Sequence, residues 1–495
     1  MLSILQNLFQ PIVILSTLAG VVMGIAFGAM PGLTSTMGVC LLMPLTFGMD
    51  AAPGLLMLIG IFCGALYGGS ITACLINTPG TPSAAATVLD GYPMTLKGEA
   101  GRALGISTVS SFGGGIISGI IMILIAQRLA MLSLSFSAPE TFALAFFGLS
   151  IIASISGKNL VKGLMAGCMG ILLSMIGIDN ITAFSRFNFG SVFLMKGLSF
   201  IPVLVGLFAL SQCFITCEEL YVERPQAKKT RNPIPSKKDL RIIIPTILRG
   251  GITGTFIGII PGAGGDISAF ISYDMERRFS KHPELFGTGL PEAIAAPESS
   301  NNGTTGGALI PLLTLGIPGD ANTAIMLGAL QMHNMTPGPS LFLTRLTDVH
   351  TIFAGFMLAN VFVLTLGLLG QNMFVKIVSI PKRILVPVIM VMCAVGSYSI
   401  NNNFYDVLVM FIAGVVGYFL TKGGFPLSPI VLALILGQMC EGNFRRSLVM
   451  SQGSYKIFFT RPICAAFIIL GTAAILWPLI KGIRGYYKRR KGMTT

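Results

Sequence analysis

Two short stretches set prolines, glycines and small polar residues where the surrounding apolar sequence calls for an uninterrupted helix. One is "NTPGTPSAAA", Asn77 to Ala86; the other is "GIPGDANTA", Gly316 to Ala324. Proline lacks an N–H donor and its predecessor avoids the helical region, so Pro79, Pro82 and Pro318 each interrupt a helix. Ser83 and the alanines after it can open a new helix, and Asp320, Asn322 or Thr323 can cap its counterpart. A fresh helix N-terminus offers unpaired N–H groups and the positive end of a dipole, which attract a carboxylate or a phosphate. Unwound carbonyls beside it can hold a cation such as sodium. The expected anion-binding residues are Asn77, Thr78, Pro79, Gly80, Thr81 and Ser83 in the first stretch, and Gly316, Pro318, Gly319, Asn322 and Thr323 in the second.

"SSNNGTTGG", Ser299 to Gly307, adds Asn301, Asn302 and Thr304, which can donate to a carboxylate with no buried charge. Intramembrane acids are functional candidates by default. Asp266 and Asp320 are expected to couple a cation, and Glu298 could bind one or relay a proton; each could equally cap a helix. Lys158, Lys162, Lys196 and Arg249 could neutralise an anion, although snorkelling accounts for most such placements. "GAGGD", Gly262 to Asp266, is not followed by Gly-Lys-Ser/Thr and is no phosphate loop.

The elements that hold these residues repeat. Gly20, Gly24, Gly28, Pro31 and Gly32 recur in the same spacing as Gly250, Gly254, Gly258, Pro261 and Gly262, 230 positions on. The glycines predict close helix packing, and Pro31-Gly32 and Pro261-Gly262 predict two further helix breaks. "GGSITACLINTPGTPSAAA" matches "GGALIPLLTLGIPGDANTA" with Pro79-Gly80 on Pro318-Gly319, 239 positions on, so nine extra residues are expected within Met275 to Pro297. The chain thus divides into a membrane repeat at 1–222, a basic cytoplasmic linker at 223–241, a second repeat at 242–445, and a final membrane helix with a basic tail at 446–495. Paired broken segments at corresponding positions of two repeats are the best sequence pointer to a transporter's binding site. An odd number of crossings in each half would make the repeats inverted.

Composition sets the class. Of 495 residues, 53% are hydrophobic and 11% charged, against roughly 45–50% and roughly 25% in soluble domains. Apolar runs such as Pro11 to Met30 and Leu104 to Ala126 are long enough to span a bilayer, and roughly ten to twelve crossings are expected. The fold class is therefore an all-α polytopic membrane protein with broken or re-entrant helices. The net charge of +14 collects between membrane segments, around Lys228 to Arg241 and Lys481 to Lys491. That is the positive-inside pattern rather than a nucleic-acid surface. No Lys or Arg precedes Lys97, which fits an N-terminus on the outer side. Nine scattered cysteines and three histidines form no metal-ligand spacing, and no nucleophile with a base is apparent, so neither an enzyme nor a cofactor is expected.

At these residues the sequence resembles the large membrane subunit of the tripartite tricarboxylate transporters, the TctA family. The carrying motifs are "MPGLTSTMGVCLLMPLTFGMD", "YGGSITACLINTPGTPSAAATVLDGYPM", "KGEAGRALG", "IPGAGGDISAF" and "APESSNNGTTGGALIPLLTLGIPGDANTAIMLGAL", in the family's order along nearly the whole chain. The resemblance implies a permease of the bacterial inner membrane that works with a small membrane subunit and a periplasmic solute-binding protein. It implies import of a di- or tricarboxylate such as citrate, driven by a sodium or proton gradient. Asp320 departs from the pattern, an acid where a small residue is expected. The alternative reading is a stand-alone carboxylate carrier or anion channel that needs no binding protein.

Overall fold

The computed structural model describes residues 6–30, 32–155, 160–179, 181–218, 234–371, 373–374 and 382–490. Pro31, Lys158 and most of the basic linker lie outside them. The chain is a multi-pass, almost entirely helical membrane protein. Eight described helices are long and apolar enough to cross a membrane. They begin with α1 (Pro11–Ala29), α3 (Ala51–Ile76), α5 (Ala100–Ser133) and α8 (Phe200–Glu218), with α2 (Ser35–Leu42), α4 (Ala85–Leu96), α6 (Ala138–Ile155) and α7 (Leu160–Ser174) between them. α9 (Lys237–Ile259) is the fifth; α10 (Gly264–Phe279), α11 (Pro291–Leu315) and α12 (Ala321–Met332) follow. α13 (Leu346–Leu369), α14 (Lys382–Asn401) and α15 (Phe404–Lys422) supply the remaining spans, before α16 (Ser428–Met450) and α17 (Pro462–Arg490). α11 is 25 residues long but too polar to count by hydropathy, because its first half reads "PEAIAAPESSNN". It is buried along almost its whole length, which is how a polar helix persists in a bilayer protein.

The chain forms two compact units. The first comprises Met1–Ser133 and Leu204–Tyr418; the second comprises Leu134–Val203 and Phe419–Thr495. In the second unit α6 packs on α16 and α17, and α7 on α16. Its one described strand pair is Gly177–Ile178 against Ser185–Arg186. Asp179 beside that hairpin pairs with both Arg186 and Arg445, and Glu140 accepts from Arg461 at 2.9 Å. These acids offset part of the positive charge carried by Glu441 to Arg461.

In the first unit the sequence repeat reappears as repeated contacts. Gly24 lies on the Ile61 carbonyl and Gly28 on that of Ala65, holding α1 against α3. Gly254 lies on the Ser300 carbonyl and Gly258 on that of Thr304, holding α9 against α11. The return contacts also correspond: Gly64 meets Val21 and Gly68 meets Ile25, as Gly303 meets Gly251 and Gly307 meets Thr255. A methyl at Gly258 would sit 2.6 Å from the Thr304 oxygen, so only glycine permits this approach.

The additional residues of the second copy fall in the longer α10 and in the segment 280–290 that precedes α11. That segment is tied to the first copy by Asp90 of α4. Its carboxylate accepts from Tyr273 Oη at 2.8 Å and from the amides of Gly287, Gly289 and Leu290 at 2.9, 2.7 and 3.0 Å.

Candidate functional site

The first break begins where α3 ends. Asn77 takes the left-handed conformation at φ 56° and its N–H returns to Thr72. The Gly80 N–H donates to the Gly69 carbonyl at 3.1 Å, folding the turn back on its own helix. Gly80 also lies against the Gly28 carbonyl, where a side chain would collide. Pro82 then opens one 3₁₀ turn, Pro82–Ala84, and α4 follows with no side-chain cap.

The second break is built the same way. Gly316 ends α11 at φ 70°, and Gly319 packs on the Gly258 carbonyl and Ala308. The Gly262 N–H donates to the Gly319 carbonyl at 2.5 Å, joining the turn after α9 to the break. Asp320 caps α12 in a capping box: its Oδ1 accepts from the Thr323 N–H at 2.8 Å, and the Thr323 hydroxyl accepts from the Asp320 N–H at 2.9 Å. Each copy's short helix lies over the other copy's break region: α10 packs on the Pro82–Ala84 turn and α4, and α2 packs on α12.

Where α10 meets the first break, polar groups converge. The first turn of α10 holds Gly264 and Gly265, and its cap residue Ala263 supplies no side-chain bond. A methyl at Gly265 would press on the Asn301 amide, 3.3 Å from Ser83 Cβ and 3.4 Å from Thr304 Oγ1. Asn301 is 0% exposed, yet neither its Oδ1 nor its Nδ2 has a partner. An unpartnered buried amide costs about 1–3 kcal/mol, which a ligand offering both donor and acceptor recovers. The repeat-related positions of Asn301 and Thr304 are Phe62 and Ala65, while that of Ser83 is Asn322, so the equivalent corner of the other copy lacks the amide and hydroxyl that α11 supplies here.

The sequence-derived candidates divide accordingly. Ser83, Asn301 and Thr304 come together, with buried Thr81 hydrogen-bonded to Ser83 at 3.1 Å. Asn77 is exposed, and the Thr78 hydroxyl donates to the Ile76 carbonyl at 3.2 Å, so both finish the end of α3. Thr323 is engaged in the cap, and Asn322 Nδ2 reaches Asp320 at 3.2 Å while its Oδ1 is unpartnered. Asn302 Nδ2 donates to the Glu298 carbonyl at 3.3 Å. Pro79, Pro318, Gly316 and Gly319 shape the breaks, as do Pro261 and Gly262, the latter at φ 78°. Asp266 sits exposed in the first turn of α10; the Asp320 Cβ would lie 3.9 Å from a methyl at Gly264, so the two acids flank one turn. Lys162 donates to the Gly423 carbonyl at 2.6 Å and Arg249 pairs with Glu276 at 2.5 Å, which accounts for both cations. Lys196 lines a cleft of about 340 Å³ in the second unit.

One group was not assembled by sequence reasoning. Four hydroxyls from three helices surround Glu298: Ser70, Thr87, Ser107 and Ser111. Glu298 was legible as an intramembrane acid; for its partners the sequence signal was the run of hydroxyls in "GISTVSSFGGG" inside an otherwise apolar span.

A family model described as the tripartite tricarboxylate transporter TctA family matches residues 14–432. An Agrobacterium vitis protein described as an uncharacterized 52.8 kDa protein in the TAR-I ttuC' 3' region is 37% identical over 479 residues, 97% of this chain and 95% of its own. A second, an uncharacterized protein in the TAR-II ttuC' 3' region of Agrobacterium vitis, is 36% identical over 231 residues, 47% of this chain and 96% of its own. No solved structure matches. With a family model covering most of its length and a relative matching nearly end to end, the chain belongs to the tripartite tricarboxylate transporter TctA family.

Proposed function

We propose that this transporter component is the permease subunit of a secondary transporter that imports a di- or tricarboxylate, citrate-like in size and charge. The substrate's carboxylate would face the first turn of α10 and accept from Asn301 and Ser83, beside Thr304, whose hydroxyl donates to the Asn301 carbonyl at 2.6 Å. The observation that carries this reading is Asn301, buried with both amide atoms unpartnered beside an uncapped helix start. The remaining break residues, Asn77 to Thr81, Gly316 to Gly319, Asn322 and Thr323, would shape the surroundings of the bound carboxylate. A sodium ion or a proton is the coupling ion, with Asp266 and Asp320, on either side of Gly264, as its carboxylates.

The permease is proposed to act in the bacterial inner membrane with a small membrane subunit and a periplasmic solute-binding protein. The matched contacts of α1 with α3 and α9 with α11 support two homologous repeats, at 1–222 and 242–445. Inverted repeats of this kind would rock against each other around the shared site in alternating access.

The test is uptake of labelled citrate and other di- and tricarboxylates into proteoliposomes, with the two partner proteins added or withheld and sodium and pH varied. Uptake that requires the binding protein and falls at least tenfold in Asn301→Ala is expected. Uptake independent of the binding protein would favour the stand-alone carrier, and uptake indifferent to Asn301 would move the site elsewhere.

A further inference from the structure

Glu298 lies 0% exposed inside the first unit. Its Oε1 accepts from Ser70 of α3 at 2.5 Å and from Thr87 of α4; its Oε2 accepts from Ser107 and Ser111 of α5 at 3.1 and 2.9 Å. No Lys, Arg or His among the described residues pairs with it. Of the titratable groups on the elements packed on α11, Tyr67 and Cys74 of α3 lie within its electrostatic reach. Of the others, Asp90 of α4 is engaged by Tyr273 and the loop amides, Arg102 of α5 by Asp239 and Glu99, and Arg249 of α9 by Glu276 of α10.

Two donors on each oxygen fill all the acceptor sites of an ionised carboxylate. The donors lie directly against the oxygens, which leaves no gap for a metal ion between them. A hydroxyl, however, accepts as well as donates. When the carboxylate takes up a proton, its new O–H donates to one hydroxyl oxygen, and that hydroxyl turns its own hydrogen to a carbonyl of its helix. Both charge states are thus fully hydrogen-bonded, whereas a Lys or Arg partner would have fixed only one.

We propose that Glu298 is a proton-carrying carboxyl, and that its charge state controls how tightly α11 is tied to both sides of the first break. Ser70 follows Gly69, whose carbonyl holds Gly80, and Thr87 lies in the first turn of α4 beyond the break. Asn301 stands three residues along α11 from Glu298. The ionised state binds α3, α4 and α5 to α11 with four charge-assisted bonds, which are roughly twice as strong as neutral ones. Protonation removes that assistance and releases the break where the proposed substrate site lies. Ser110 of α5 and Asn302 of α11, buried with unpartnered oxygens, supply further polar groups for proton passage along the same two helices.

The inference rests on the transport reading only for the use made of the proton, so its first test needs no substrate. Infrared difference spectra of the purified protein between acid and neutral pH should show the C=O stretch of a protonated carboxyl. That band should vanish in Glu298→Gln and move to higher frequency in Ser107→Ala/Ser111→Ala, which has fewer donors. In the reconstituted transporter, Glu298→Gln should keep carboxylate exchange and lose acceleration by an inward proton gradient. A carboxyl band of which no component is lost in folded Glu298→Gln, or the absence of any titrating carboxyl band, overturns the proposal. If Glu298→Gln does not fold, the serine variant decides: an unmoved band overturns the assignment. A titrating band in a protein that takes up no carboxylate would leave the proton site standing and sink the transport reading.

Discussion

Gly80 and Gly319, 239 positions apart, occupy the same contact: each lies against the carbonyl of a glycine in its own copy of the repeat, Gly28 for the first and Gly258 for the second. Each sits at the tip of a broken helix and sets how closely that tip approaches its neighbour. Proline and glycine alone would produce a kink; the carbonyl beneath each tip turns the kink into a fixed platform.

Substituting either tip glycine by alanine therefore places a methyl on backbone that cannot move aside. Gly80→Ala and Gly319→Ala should each lower the melting temperature in detergent sharply, with a cost of about 1–3 kcal/mol or more. Gly442→Ala, with open space around the added methyl, is the control and should be neutral or slightly stabilising.

Asn301→Ala removes an amide that makes no hydrogen bond in the protein, so the fold should lose little. Binding of the carboxylate should weaken by about tenfold to a hundredfold, from the loss of about 1.5–3 kcal/mol of hydrogen bonding to a charged group. Calorimetric titration alongside thermal melting separates the two effects.

Gly265→Ala presents the opposite perturbation at the same place. Its methyl presses on the Asn301 amide, a side chain able to turn, so the fold should survive while the site is filled. Uptake should fall at least tenfold with a melting temperature within a few degrees of the parent.

Asp90→Ala should free the segment before α11. Four donors lose their acceptor, three of them backbone amides. Amide hydrogen exchange at Gly287, Gly289 and Leu290 should accelerate at least tenfold, and protease should cut within 280–290 before it cuts elsewhere. Unchanged protection at these amides would show that the loop is held by something other than Asp90.

Several features were readable from residue types alone. The ends of α3 and α11, the capping of α12 by Asp320, the glycine-spaced pairs and the position of the nine-residue insertion all follow from effects that act within a turn or along one helix. The span count was less legible: α11 hides its length behind polar residues, because hydropathy measures composition rather than burial. Asn77 and Thr78, expected ligand contacts at the break, also complete the helix end, through the Asn77 N–H to Thr72 and the Thr78 hydroxyl to the Ile76 carbonyl.

The sequence by itself determined the membrane class, the repeat, the two breaks and the family, because backbone preference, apolar length and motif spacing are local properties. Only the tertiary structure decided which polar residues meet. Asn301 and Ser83 come together because α10 of one copy crosses the break of the other, while the related corner has Phe62 and Ala65 in place of Asn301 and Thr304. Glu298 gains its four hydroxyls because α3, α4 and α5 face α11 there, and the direction a side chain faces depends on which helices pack around it.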